Sequence, residues 1–196
     1  EQNCFEDCES LKEMIIPSSV KIIGDHFISG CTSLEKVIIP TTTAIGLFNF
    51  NFFSHLTEFI IPSSVKSIDE RAFSRCTSLA KIEIPTSVVN IYEYAFYECT
   101  SLKEIAIPNS VMKISESTFN GCSSLVNVII PSSVTVIEYN AFKDCTSLVN
   151  ITIPSSVKSI GCDAFEGCKM LTKITYENDP SKLEILSKSF KLKISI

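Results

Sequence analysis

One leucine recurs along this chain at an almost fixed interval, and a fixed interval of this length constrains a fold more than composition does. Leu11, Leu34, Leu56, Leu79, Leu102, Leu125, Leu148 and Leu171 are spaced by 23 residues, except for one step of 22 between Leu34 and Leu56. With each unit numbered from its leucine, position 4 is Met14, Val37, Phe59, Ile82, Ile105, Val128, Ile151 and Ile174. Position 6 is isoleucine from Ile16 to Ile153, and position 7 is proline from Pro17 to Pro154. A second apolar pair follows, as in Val134 and Ile137, and then Ala141-Phe142 and Cys145.

Local structure follows from the pattern. Positions 4 and 6 share a face of a strand, because side chains alternate with period two. Proline at 7 offers no N–H to a neighbour and ends the strand. The Ser-Ser that follows favours a turn. Positions 10 and 13 suit a short second extended piece. The spacing Ala-Phe-x-x-Cys predicts one turn of helix with Phe and Cys facing inward.

A unit this short cannot bury its own apolar face, so neighbours must stack into a solenoid. Parallel strands roughly 4.8 Å apart turn each column into a ladder of like residues. Burying one such side chain contributes roughly 1.5–3 kcal/mol before ordering entropy is subtracted. Apolar residues are 45% of the chain and charged ones 20%, which is enough for a core.

The consensus LxxIxIPSSVxxIxxxAFxxCTS, met from about Phe5 to Ile174, resembles the BspA-like leucine-rich repeat, the treponemal type with 23-residue units. The resemblance implies a solenoid with parallel strands on the concave face and short extended segments and helical turns on the other sides. Common leucine-rich repeats carry Asn at position 9, whereas here it is Ser or Thr from Ser19 to Ser156. A hydroxyl ladder is expected to serve the backbone there in place of an amide ladder.

Three segments are expected. Residues 1–10 form a partial N-terminal repeat, since Phe5, Cys8 and Ser10 fit positions 18, 21 and 23; either an N-terminal cap is missing or further repeats lie upstream, and the second is expected. Residues 11–176 form the solenoid, with seven units and the start of an eighth. Residues 177–196 form a C-terminal cap, with Asp179 capping a helix, Pro180 at its first position and an edge strand guarded by Lys191 and Lys193. In the short unit Phe48 and Phe52 fall at positions 16 and 20, elsewhere polar or small. They mark either repacking around the deletion or an exposed aromatic contact.

Chemistry-bearing constellations are absent from the sequence. His26 and His55 have no partner at ligand or triad spacing, and the glycines stand singly. Neither an enzyme, a metal nor a cofactor is expected. Seven of nine cysteines form one column from Cys8 to Cys168, with parallel Cβ vectors unsuited to disulfides, and are read as buried reduced thiols. Cys4 is expected in the core, and Cys162 exposed and the more reactive. Asn150-Ile151-Thr152 fits a glycosylation acceptor. The net charge is −5 with no dense basic run, against nucleic acid. No apolar stretch is long enough to insert into a membrane, and the acidic Glu1 to Ser10 does not read as a signal peptide.

Outward positions are therefore where function is sought. Position 3 alternates in sign from Glu13 through Lys36, Glu58 and Lys81 to Glu104, a pattern that sets register. Position 5 is Ile15, Ile38 and Ile60, then Glu83. Nothing inside a solenoid requires isoleucine there. The stripe reflects either strand propensity or a protein contact. Tyr92, Tyr94 and Tyr97 form a second candidate on the turn side. The resemblance implies a non-enzymatic module at the cell surface or secreted, contacting host or extracellular-matrix proteins. A cytoplasmic scaffold is the alternative, and end-to-end or edge self-association a further expectation.

Overall fold

A computed structural model describes residues 4–23, 27–40, 44–45, 50, 53–177 and 184–185. The expected C-terminal helix cap at Asp179 and Pro180, the strand guarded by Lys191 and Lys193, and Phe48 and Phe52 all lie outside the described residues.

Two columns of parallel strands run along the stack, each column paired in shorter hydrogen-bonded groups. The first holds positions 3 to 5: β1 (Glu13–Ile15), β3 (Lys36–Ile38), β5 (Glu58–Ile60), β7 (Lys81–Glu83), β9 (Glu104–Ala106), β11 (Asn127–Ile129), β13 (Asn150–Ile153) and β15 (Lys173–Tyr176). Its register joins equal positions, as in Glu13 with Lys36, Met14 with Val37 and Ile15 with Ile38. The second column holds positions 12 and 13: β2 (Ile22–Ile23), β4 (Ala44–Ile45), β6 (Ser67–Ile68), β8 (Asn90–Ile91), β10 (Lys113–Ile114), β12 (Val136–Ile137) and β14 (Ser159–Ile160). It extends to β16 (Glu184–Ile185), which pairs with β14.

Proline stops each long strand as expected, and its carbonyl then closes the turn. The Val88 N–H donates to Pro85 O at 3.0 Å, and Val111 does the same to Pro108 O at 3.0 Å. Beyond the turn, Ser110 Oγ donates to Val88 O, and Ser133 and Ser156 donate at 2.7 Å to Val111 O and Val134 O. In these three units the position-9 hydroxyl ties the turn to the unit below, whereas the buried Ser87 hydroxyl makes no such bond.

The core is the expected set of columns. From Leu34 to Leu148 the leucines are wholly buried, and all the position-4 residues are buried. Phe50, Phe73, Phe96, Phe119, Phe142 and Phe165 form one stack, with successive ring centroids 5.3–5.5 Å apart and planes within 12°. Such near-parallel, offset stacking favours aromatic pairs beyond their burial.

The expected turn of helix does not form; among the described residues there is no helix. Positions 16 and 20 instead take left-handed φ values, 57° and 62° at Arg71 and Arg75, 57° and 54° at Tyr94 and Glu98. The reason lies in the hydrogen bonds. N–H groups at 16, 18 and 20 reach the next unit: Arg71 to Glu93 O, Phe73 to Ala95 O and Arg75 to Tyr97 O, at 3.1, 2.8 and 2.7 Å. Those at 17, 19 and 21 close turns within the unit, as Ala72, Ser74 and Cys76 do on Asp69, Arg71 and Phe73. A helix would spend every N–H inside its own unit and leave neighbours unjoined on this side.

Candidate functional site

Residues of the long strands show the pattern exposed–buried–exposed, so positions 3 and 5 form one open face. The structure places Ile15, Ile38 and Ile60 side by side on three adjacent strands of that face, 62%, 39% and 60% exposed. Glu83 follows on the fourth, in register with Ile60. The four residues singled out from the sequence therefore form one continuous row.

The charges beside them pair differently from a simple alternation. Lys36 Nζ meets Glu13 Oε1 on the neighbouring strand at 2.8 Å. Lys81 turns instead to Glu83 on its own strand, at 3.0 Å, and that hydrogen bond raises the lysine's pKa. Glu58 and Glu104 flank Lys81 in the stack, yet no ion pair reaches either within 4 Å among the described residues. The presence of a nearer carboxylate at position 5, in this unit alone, explains the change of partner.

A shallow depression of about 460 Å³ opens on the same face over Ala106, flanked by Lys81, Glu83, Glu104 and Ile129. Nothing in the periodicity marked it, although the small residue at position 5 was a visible signal.

On the turn side, Tyr94 and Tyr97 meet edge to face with centroids 5.8 Å apart. Arg71 lies over the Tyr94 ring at 4.7 Å, a cation–π contact, and Tyr94 donates to Glu116 Oε1 at 2.8 Å. Arg75 Nε donates to Glu98 Oε2 at 3.0 Å. Hydrogen bonds to Glu116 and Glu98 raise the pKa values of Tyr94 and Tyr97. Tyr92 is 40% exposed and lies outside the depression that Tyr94 and Tyr97 line. The two arginines, which the sequence reading did not select, hold this patch together.

Cysteine geometry has a use that small size alone does not explain. From Cys76 to Cys145 each thiol in the column donates to the position-18 carbonyl one unit below: Cys76 to Phe50 O, Cys99 to Phe73 O, Cys122 to Phe96 O and Cys145 to Phe119 O, at 3.0–3.2 Å. Burial pushes the Cys76 and Cys122 thiols up to about 12, and lifts Cys99 and Cys145 well above their ordinary value. They remain protonated donors over the ordinary pH range. Cys4, expected in the core, is exposed in the first described unit, as is Cys8. Cys162 is half-buried rather than exposed.

His55 Nδ1 sits 3.3 Å from Thr32 O and 3.2 Å from Ser54 Oγ, a local turn contact. His26 lies outside the described residues. Among the described residues no three His, Cys, Asp or Glu side chains converge on a metal position, and no helix is long and apolar enough to cross a membrane.

The family model for the BspA type leucine rich repeat region matches this chain in six copies, over residues 1–126 and 66–195. The chain belongs to that family. A leucine rich cell surface protein from Faecalibacterium prausnitzii is 28% identical over 92% of this BspA-type chain and 63% of its own length, with a TM-score of 0.64. The T. pallidum leucine rich repeat protein is 31% identical over 75% of this chain and 69% of its own, with a TM-score of 0.68. The pneumococcal vaccine antigen PcpA, at 21% identity, a TM-score of 0.51 and coverage of 86% and 51%, shares the fold. No functionally curated protein matches the chain. The BspA-type chain thus spans less than two thirds of the Faecalibacterium relative, and its repeats form a fold used for protein interaction.

Proposed function

We propose that this BspA-type chain is a non-enzymatic recognition module displayed at the cell surface, binding partner proteins through its concave strand face. The observation that carries the reading is the row Ile15, Ile38, Ile60: large apolar side chains, all exposed, on three adjacent strands whose inner columns do not need them. Contiguous exposed apolar surface of this kind marks contact sites. Likeness to a leucine rich cell surface protein supports the compartment. Tyr92, Tyr94 and Tyr97 form a secondary contact candidate, with Phe48 and Phe52 as a third.

Replacing Ile15, Ile38 and Ile60 together by Gln should leave the circular dichroism spectrum intact and reduce capture of surface-fraction proteins at least tenfold. Unchanged capture removes the strand face from consideration. A second reading, a cytoplasmic scaffold, draws support from the nine free cysteines. Protease treatment of intact cells separates the two: cleavage supports display, and full protection supports the scaffold.

A further inference from the structure

Along position 5 the strand face carries Ile15, Ile38 and Ile60, then Glu83, and the dip opens over Ala106 in the next unit. Position 5 is Glu83, Ala106 and Ile129 in three successive units, so one unit lacks the large side chain its neighbour carries. The floor is the Ala106 methyl and the wall is Ile129, which is 58% exposed. The rim carries Glu104 on the same strand as Ala106, and Asn127 in register with Glu104 on the next. Among the described residues Lys81 is the one cation lining the rim, and it is held by Glu83 at 3.0 Å. Among the described residues Glu104 thus faces the dip with no ion pair within 4 Å, and Glu58, two strands away, is in the same condition, both acting on Lys81 only at longer range.

We infer that this dip is a specificity pocket for a lysine or arginine side chain of the protein partner. The inference rests on the strand-face reading above. The chemistry follows from the walls. A basic side chain would lay its alkyl stem along Ala106 and Ile129 and bring its cationic head to Glu104, with the Asn127 amide oxygen as a second acceptor. An acidic side chain would meet Glu83 and Glu104, and would have to displace Glu83 to reach Lys81. An apolar side chain would cover the Glu104 carboxylate without replacing its water. The chain's net charge of −5 steers basic partners the same way. The partner is therefore a segment that places apolar side chains over Ile15, Ile38 and Ile60 and a basic one two to three strands further on.

The repeats supply substitutions that the fold already accepts. Ala106→Ile fills the dip with the residue found at position 5 in Ile38, Ile60 and Ile129, and Glu104→Lys copies position 3 of Lys36 and Lys81. A displayed library of random peptides is selected on the full chain, and the recovered peptides are synthesised and titrated by fluorescence anisotropy. The pocket predicts that recovered peptides share a Lys or Arg. It predicts that Ala106→Ile, Glu104→Lys, or alanine at that basic residue each weakens binding about tenfold, equivalent to about 1.4 kcal/mol. Recovery of peptides with no basic residue, or equal affinity for the Ala106→Ile variant, overturns it. The triple Gln variant separates the two readings. If it loses binding while Ala106→Ile and Glu104→Lys keep it, the face stands and the pocket falls. If it keeps binding, the strand-face reading itself falls.

Discussion

The Sγ of Cys99 lies 3.0 Å from the carbonyl oxygen of Phe73, one unit below, and the same bond recurs from Cys76, Cys122 and Cys145. The thiol is a weak donor, and it adds a second bond to a carbonyl that already accepts the Cys76 N–H at 3.2 Å. Cys99→Ala should therefore cost about 1–3 kcal/mol in urea unfolding, through a small void and a lost bond. Cys99→Val removes the donor and leaves no void but adds about one methyl group to a wholly buried site, and should also fall below the parent. A valine variant as stable as the parent would show that the sulfur serves as volume alone.

Alkaline pH tests the same column through linkage. In the folded chain burial raises the thiol pKa values, to about 12 at Cys76 and Cys122, from the ordinary value of 9.0. Above pH 9 the unfolded chain loses protons that the folded chain keeps. The thiol contribution is thus fully present below about pH 9 and is lost as pH rises toward 12. Each such thiol should steepen the fall by about 1.4 kcal/mol per pH unit. The decline between pH 9 and 11, followed by urea midpoints, should be shallower in a Cys76→Ala, Cys122→Ala double variant. An identical slope would mean that lysine and tyrosine ionisation accounts for it.

Much of this architecture was legible because a period of 23 fixes which residues share a column, and burial follows from column chemistry. The long strands, the proline stop and the phenylalanine stack were readable at that level. The turn at positions 16 to 20 was misread, since Phe and Cys three apart fit a helix as well as a tight turn. A signal was present: Gly30, Gly121 and Gly167 at position 20, and Asn140 at position 16, all take positive φ. The exposed row at Ile15, Ile38 and Ile60 was legible because an apolar residue on an outward position is out of place. Whether Lys81 turns to Glu58, Glu104 or Glu83 was not, because all three lie within a side chain's reach and only distance decides.

The aromatic column makes a contrast of magnitudes. Phe119 is wholly buried, 5.5 Å from Phe96 and 5.4 Å from Phe142. Phe119→Ala should cost about 3–5 kcal/mol, and Phe119→Asp, which buries a charge, should abolish cooperative unfolding around it. Lys113 pairs with Glu138 at 3.1 Å on the surface, where half of its side chain is in solvent. Lys113→Ala should cost less than about 1 kcal/mol. Equal tolerance of both by differential scanning calorimetry would overturn the assigned register.

Backbone conformation at position 20 gives a sign that the two alternatives do not share. Gly121 has φ 77°, and a Cβ added there would lie 3.0 Å from Glu98 Cγ. Glu98 and Asp144 occupy the same position with φ 54° and 57°, so a side chain fits when the strain is offset elsewhere. Gly121→Ala should destabilise by about 1–2 kcal/mol, the left-handed penalty of an L-residue. At an ordinary φ the same change would stabilise by about 0.4–1 kcal/mol, by restricting the unfolded chain. Asp144→Gly, the reciprocal change, relieves the left-handed penalty but loosens the unfolded chain, and should be close to neutral. Urea titration of the pair reads the sign directly: a stabilised Gly121→Ala would remove the left-handed turn, and with it the alternating hydrogen bonds that replace the helix.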